Sequence, residues 1–204
     1  MRSLLALSRL IDALSRFVGK SVSWVILVVV LISAVNAVSR KAFHASSNAW
    51  LELQWYLFGA IFLLAAGYTL LNNEHVRVDV LSSKLSERAQ TIIEVVCVVV
   101  LLLPITAFIF WMSIPMFVDS YVSGEMSSNS GGLIRWPVKL MVPVGYALLL
   151  LAAISHLIKC IGFLVGACPN PLRRLKTKSA EELLAEEIAQ QAAIQAEATT
   201  KKGS

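Results

Sequence analysis

Residues 53–81 read LQWYLFGAIFLLAAGYTLLNNEHVRVDVL. Leu53–Leu71 carries no charge and has the length of a membrane-crossing helix, which needs roughly 17–25 apolar residues to cover about 30 Å of hydrocarbon. The polar run that begins at Asn72 puts an acid, a histidine, an arginine and a second acid within six residues, Glu74–Asp79. An uncharged helix that opens abruptly into such a loop is expected to end at a membrane surface.

The rest of the chain agrees. Of 204 residues, 57% are hydrophobic and 15% charged, and mean hydropathy is +0.71, too apolar for an ordinary soluble domain. Three further apolar runs lie between Lys20 and Arg40, from near Ile92 to Val118, and between Lys139 and Lys159. The expected fold is all-α and integral to the membrane, with four spans. In the overlong third run, Glu94 and Trp111 are expected at opposite interfaces, Pro104 to kink the helix, and Pro115 to bend or end it.

Four spans put both ends on one side, and basic residues choose the side. Arg2, Arg9, Arg16 and Lys20 precede the first span, Arg77, Lys84 and Arg88 separate the second and third, and Lys159, Arg173, Arg174, Lys176 and Lys178 follow the fourth. The other side holds Arg40, Lys41, Arg135 and Lys139. Both termini are expected in the cytoplasm. The net charge of +5 follows from this orientation and implies no nucleic acid.

Leu4, Leu7, Ile11, Leu14 and Val18 recur at helical spacing, with Leu10 and Phe17 beside them and Arg2, Arg9 and Arg16 on another face. Residues 1–19 are therefore expected to form an amphipathic helix on the cytoplasmic leaflet, with Asp12 pairing Arg16. The alternative, a cleaved signal peptide ending near Val35-Asn36-Ala37, requires an unusually long leader. The transmembrane domain takes residues 20–166. Residues 167–204 form a cytosolic tail, where Pro169 and Pro171 stop the helix and Ser179-Ala-Glu-Glu182 opens an Ala/Glu-rich one.

Trp50, Trp55 and Tyr56 fit an interfacial aromatic belt. Gly59 with Ala66, and Ala60 with Gly67, make two small-residue lanes for close helix packing. Ser83 or Ser86 is available to cap the third helix, Ser127–Gly132 makes the outer loop flexible or tightly turned, and Gly162-x-x-x-Gly166 is a weak packing motif.

No catalytic, cofactor or metal pattern is present: no nucleophile elbow, phosphate loop, zinc motif or paired cysteines. Cys97, Cys160 and Cys168 read as packing residues. His44, His75 and His156 lack the facing arrangement of a haem bundle. Glu52 and Glu94 lie about one turn inside their spans on opposite sides; Glu52 is expected to take Trp50, Arg135, Lys139 or a partner subunit as its donor. In Glu74–Asp79 the acids flank Arg77 at pairing distance.

The motifs Glu52-Leu-Gln-Trp-Tyr-Leu-Phe58, Gly67, Glu74-His-Val-Arg-Val-Asp-Val-Leu81, Trp136-Pro-Val-Lys139 and Val142-Pro-Val-Gly145, in this order on four spans, closely resemble the small membrane subunit (DctQ-type) of tripartite ATP-independent periplasmic (TRAP) transporters. The likeness covers about Lys20–Lys159. It implies a non-enzymatic inner-membrane protein in sodium-driven uptake of organic acids, with two protein partners besides the bilayer: a large elevator subunit and a periplasmic substrate-binding protein. Glu52, Trp55, Glu74, His75, Arg77 and Asp79 are the residues expected to lock the bundle and meet the large subunit. Arg135 and Trp136 are expected at the outer face, near a docking binding protein. The competing classes are a self-sufficient small channel or transporter and a membrane anchor for a redox enzyme.

Overall fold

A computed structural model describes residues 2–43, 47–72 and 85–172. Helix α1 covers Arg2–Phe43, α2 Asn48–Leu71, α3 Glu87–Cys97, α4 Leu103–Val122 and α5 Trp136–Leu164. A π-helical turn, Val98–Leu102, joins α3 to α4. Four segments are long and apolar enough to cross a membrane: α1, α2, the continuous α3–α4 unit and α5. Among the described residues there is no strand, only an isolated antiparallel bridge between Met126 and Ile134.

The last helix organises the others. α5 touches α1, α2, α3 and α4, and α1 and α2 also touch each other. Gly67 lies against the Leu148 carbonyl and the Ala152 side chain, and Gly145 against Leu63, so α2 and α5 pack backbone to backbone along the Leu63/Gly67 face. The Gly59 lane is open: a Cβ there would meet nothing within 4 Å. A small core towards the Leu71 end of α2 joins Leu70 of α2 and Val98 of the π turn to Ala152 and Ala153 of α5. Elsewhere large apolar side chains point outward, with Phe62 80% exposed, as expected of a surface solvated by lipid.

Pro104 explains the π turn. It has no N–H for the carbonyl four residues back, and its ring crowds that carbonyl. The chain widens by one residue per turn just before it, and the Leu103 N–H reaches the Val98 carbonyl. Thr106 Oγ1 then donates to the Leu102 carbonyl at 2.5 Å. Pro115 does not end the helix, which continues to Val122. Tyr121 then stacks edge-on against Trp136 with ring centroids 5.6 Å apart, so it is Tyr121, not Trp111, that is level with the aromatic start of α5.

The first helix departs most from its sequence expectation. No break separates residues 2–19 from the span. Gly19, where a boundary was expected, packs on the Tyr68 ring so closely that a Cβ would lie 2.5 Å from Cγ. Ser8, Ile11, Asp12, Ser15 and Val22 are buried along one stripe, while Leu4, Leu7, Leu10, Leu14 and Phe17 stay exposed.

α3 starts at Ser86, whose hydroxyl accepts the Ala89 N–H at 3.3 Å. α5 ends on Gly166 with φ +80°: the Gly166 N–H bonds the Phe163 carbonyl and the Ala167 N–H the Gly162 carbonyl, a Schellman closure. Gly162 makes room for Cys168, whose thiol donates to the Lys159 carbonyl at 3.3 Å. The two glycines thus end the helix and admit the returning chain. Burial raises the Cys168 thiol pKa, partly opposed by Lys159. The alternative cap Ser83, His44, the tail from Arg173 onward and the whole Glu74–Asp79 motif with His75 and Arg77 lie outside the described residues.

Candidate functional site

Two polar clusters tie the helices together, one at each end, and the ends are named outer and inner after the side that the basic residues predict. At the outer end, Glu52 is 1% exposed and lies beneath the loop that joins α4 to α5. Its Oε1 accepts the Ser127 hydroxyl and the Asn129 amide, the latter at 2.8 Å, and its Oε2 accepts the Leu133 N–H at 2.7 Å. Asn48, one turn earlier on α2, donates to the Ser130 carbonyl at 2.9 Å.

The loop is shaped to converge on that carboxylate. Gly124 and Gly131 take φ of +59° and +70°, conformations that side chains disfavour. The Ser127 N–H bonds the Leu133 carbonyl and the Arg135 N–H the Glu125 carbonyl, each at 2.9 Å, which pairs the two arms of the loop. Gly132 must lack a side chain, because a Cβ would lie 2.5 Å from that of Ser127 and 2.8 Å from Glu52 Oε1.

Neither Arg135 nor Lys139 bonds Glu52. Both pair with Glu125, Arg135 at 3.6 Å and Lys139 in a closer hydrogen-bonded contact. The reason is reach: Glu125 lies in the same loop arm as their helix start, while donors from the loop fill Glu52. The Lys139 bond holds the Glu125 carboxyl below the usual carboxylate range. Trp55 is half exposed and meets Tyr56 edge-on at 4.6 Å; Trp136 packs on Tyr121.

At the inner end, consecutive residues of α5 face opposite neighbours. Ser155 donates to Asp12 Oδ1 on α1 at 2.6 Å, which leaves the Ser8 hydroxyl to donate to Ser155 Oγ at 2.8 Å. Asp12 Oδ2 takes Lys159 at 2.5 Å. Asp12 therefore pairs with the last helix, not with Arg16 as its i,i+4 spacing suggests. His156, 2% exposed, faces the other way and bonds Glu94 of α3 at 3.0 Å, with Cys160 at 3.7 Å from the same ring nitrogen. One turn of α5 thus holds both the first and third spans.

Against the sequence expectations, the structure brings Glu52 to the outer loop, and places Trp55, Arg135 and Trp136 at the same end. Ser8, Asp12, Ser155 and Lys159 were missed as a group. Polar residues recurring at helical spacing within apolar stretches were the available signal, but their partners are distant in sequence.

A buried acid at the outer entrance of the second span, a loop folded onto it, and a Trp-Pro start to the last span form one geometrical unit. Residues 27–162 match the family described as tripartite ATP-independent periplasmic transporters, DctQ component. The chain belongs to this family. The match takes in α1 from Leu27 onward, all of α2 to α4, and α5 to within two residues of its end, so it covers both polar clusters except for Ser8 and Asp12. Searches of curated proteins and of solved structures found no match. The DctQ component is the small membrane subunit of a TRAP transporter, a multi-pass inner-membrane protein of a transporter family rather than an enzyme family. Members of the family work with a large membrane subunit and a periplasmic binding protein.

Proposed function

We propose that this DctQ subunit is the mechanical member of a sodium-driven TRAP transporter for organic acids, above all carboxylates. It braces the stationary scaffold of the large elevator subunit while the periplasmic protein delivers substrate. The observation that carries this reading is the use made of ionisable groups. Asp12, Glu52, Glu94, His156 and Lys159 each have a partner from another element of the chain. A bundle whose costly polar groups are spent on helix-to-helix ties suits a rigid support.

Glu52, Trp55, Glu74, His75, Arg77 and Asp79 lock the bundle and its contact with the large subunit; Arg135 and Trp136 lie where the binding protein docks. Both termini are cytoplasmic, residues 1–19 set the depth of α1 at the inner leaflet, residues 20–166 span, and the tail from 167 is cytosolic. Affinity purification in mild detergent, followed by mass spectrometry, tests the reading. A stoichiometric large subunit is expected, with Asp79→Ala lowering its recovery while leaving substrate preference in uptake assays unchanged. A lone homo-oligomer that conducts when reconstituted, or an intact complex with altered preference, overturns it.

A further inference from the structure

The upright course of α1 leaves a problem of charge. Asp12 is the sole acid in α1, and it is taken by Lys159 and Ser155. Arg9, Arg16 and Lys20 follow one another along an exposed strip of the helix that borders Asp12, with Trp24 and Leu27 continuing it. Trp24 is 73% exposed and Leu27 50%. Neither Arg16 nor Lys20 has a hydrogen bond or ion pair among the described residues.

Their depth follows from packing. Asp12 is level with Lys159, the inner charge of α5. Gly19 is level with Tyr68, and its neighbour Gly67 with Leu148 and Ala152. Lys20 therefore stands about 10 Å further into the apolar zone of α5 than Lys159, with Arg16 between, at about 1.5 Å per helical residue. A flat interfacial helix would leave these cations among headgroups; an upright one carries them past that level. Snorkelling relieves part of the cost, and an anion drawn up along the helix relieves the rest.

We propose that the Arg9–Arg16–Lys20 face of α1 binds an anionic phospholipid of the cytoplasmic leaflet, its phosphate between Arg16 and Lys20 and an acyl chain along Trp24 and Leu27. Charge complementarity selects this occupant: three cations, whose neighbouring acid Asp12 is already balanced by Lys159, meet an anionic headgroup, and the apolar lane directly beyond meets its chain. The site needs only the membrane placement of the chain, not the transporter reading.

The full-length subunit is to be reconstituted in phosphatidylcholine nanodiscs with a few per cent phosphatidylglycerol, then stripped in mild detergent and its retained lipid measured by native mass spectrometry. Selective retention of phosphatidylglycerol is expected. Arg16→Gln and Lys20→Gln should each weaken it about five-fold, and the double variant about thirty-fold. Arg16→Lys with Lys20→Arg should retain it, and Arg40→Gln with Lys41→Gln, at the other end of the helix, should leave it unchanged. Both glutamine positions are exposed, and unchanged helical circular dichroism verifies folding. Equal retention of the two lipids, retention undiminished in the double variant, or equal loss in the Arg40/Lys41 control overturns the proposal. So does a double variant that loses the large subunit but keeps its lipid, which would identify an acidic protein groove as the occupant. None of these lipid outcomes bears on whether the subunit braces a transporter.

Discussion

Gly59 and Gly145 should respond in opposite directions to the same added methyl. At Gly145 an alanine Cβ would lie 2.7 Å from Leu63 Cβ and 2.9 Å from the Leu63 carbonyl oxygen, whereas ordinary contact begins at 3.4 Å. One of the atoms in the way is backbone, so α2 as a whole must move away from α5. Overpacking of that kind costs about 1–3 kcal/mol. At Gly59 the same methyl meets nothing within 4 Å. Both variants share the gain of about 1 kcal/mol that alanine brings to a helix interior, so their difference isolates the packing cost at about 1–3 kcal/mol. Reversible unfolding in mixed detergent micelles, titrated with sodium dodecyl sulfate, reads this difference. Gly59→Ala should equal or exceed the native chain in stability and Gly145→Ala should fall below it. Equal midpoints for the two variants would refute the claim that α2 and α5 meet through Gly145 while the Gly59 lane stands open.

Three further outcomes follow from the polar ties. Glu52→Gln removes one acceptor from a set filled by three donors, and Gly132→Ala pushes the loop off the carboxylate. Each should speed hydrogen exchange across residues 125–135 while leaving the helices protected; unchanged exchange would count against the clamp. Asp12→Asn and Lys159→Met should each destabilise by about 1–3 kcal/mol, discounted from the cost of breaking a fully buried pair because Lys159 is 26% exposed. The double variant should lose less than the sum, and strict additivity would mean that the pair is not coupled. The Glu125 carboxyl has its pKa lowered in the fold, so its contribution is complete above the ordinary value of 4.5 and is lost as pH falls below that through the lowered value. Proteolysis of the outer loop should accelerate over that acid window in the native chain and show no such step in Glu125→Gln.

The spans were legible because each is an uninterrupted apolar run of membrane length, a property of neighbouring residues. What was not legible depended on residues far apart. Asp12 has Arg16 one turn away, yet pairs with Lys159, because α1 stands upright against α5 and a buried acid takes the cation that shares its burial. Gly19 looks like a boundary until Tyr68 is placed on it. Gly59 and Gly67 read as equivalent lanes, and only the position of α5 decides that one is filled. Glu52 was picked out as costly, but its donors are a serine, an asparagine and a backbone N–H from the loop, which no charge pattern could name. Arg135 and Lys139 had the right charge for it and a nearer acid in Glu125.

In a bilayer the apolar surfaces of separate helices gain little by meeting, because lipid chains solvate them as well as another helix does. Four spans that hold together must do so by close backbone approach and by polar bonds whose loss is costly. Here the two are distributed by depth. The middle of the bundle is joined by Gly67 and Gly145, where no polar group is needed, and the ends by Glu52 under its loop and by Ser155, His156 and Lys159. The ties all lead to α2 or α5, and α3–α4 is attached through α5. Such a bundle resists shear at both membrane faces and still leaves its aromatic and aliphatic outer surface, Trp55, Phe58 and Phe62 among it, for lipid or a neighbouring subunit. A support for a moving partner needs that division: its internal bonds must not be the ones exchanged when the partner moves.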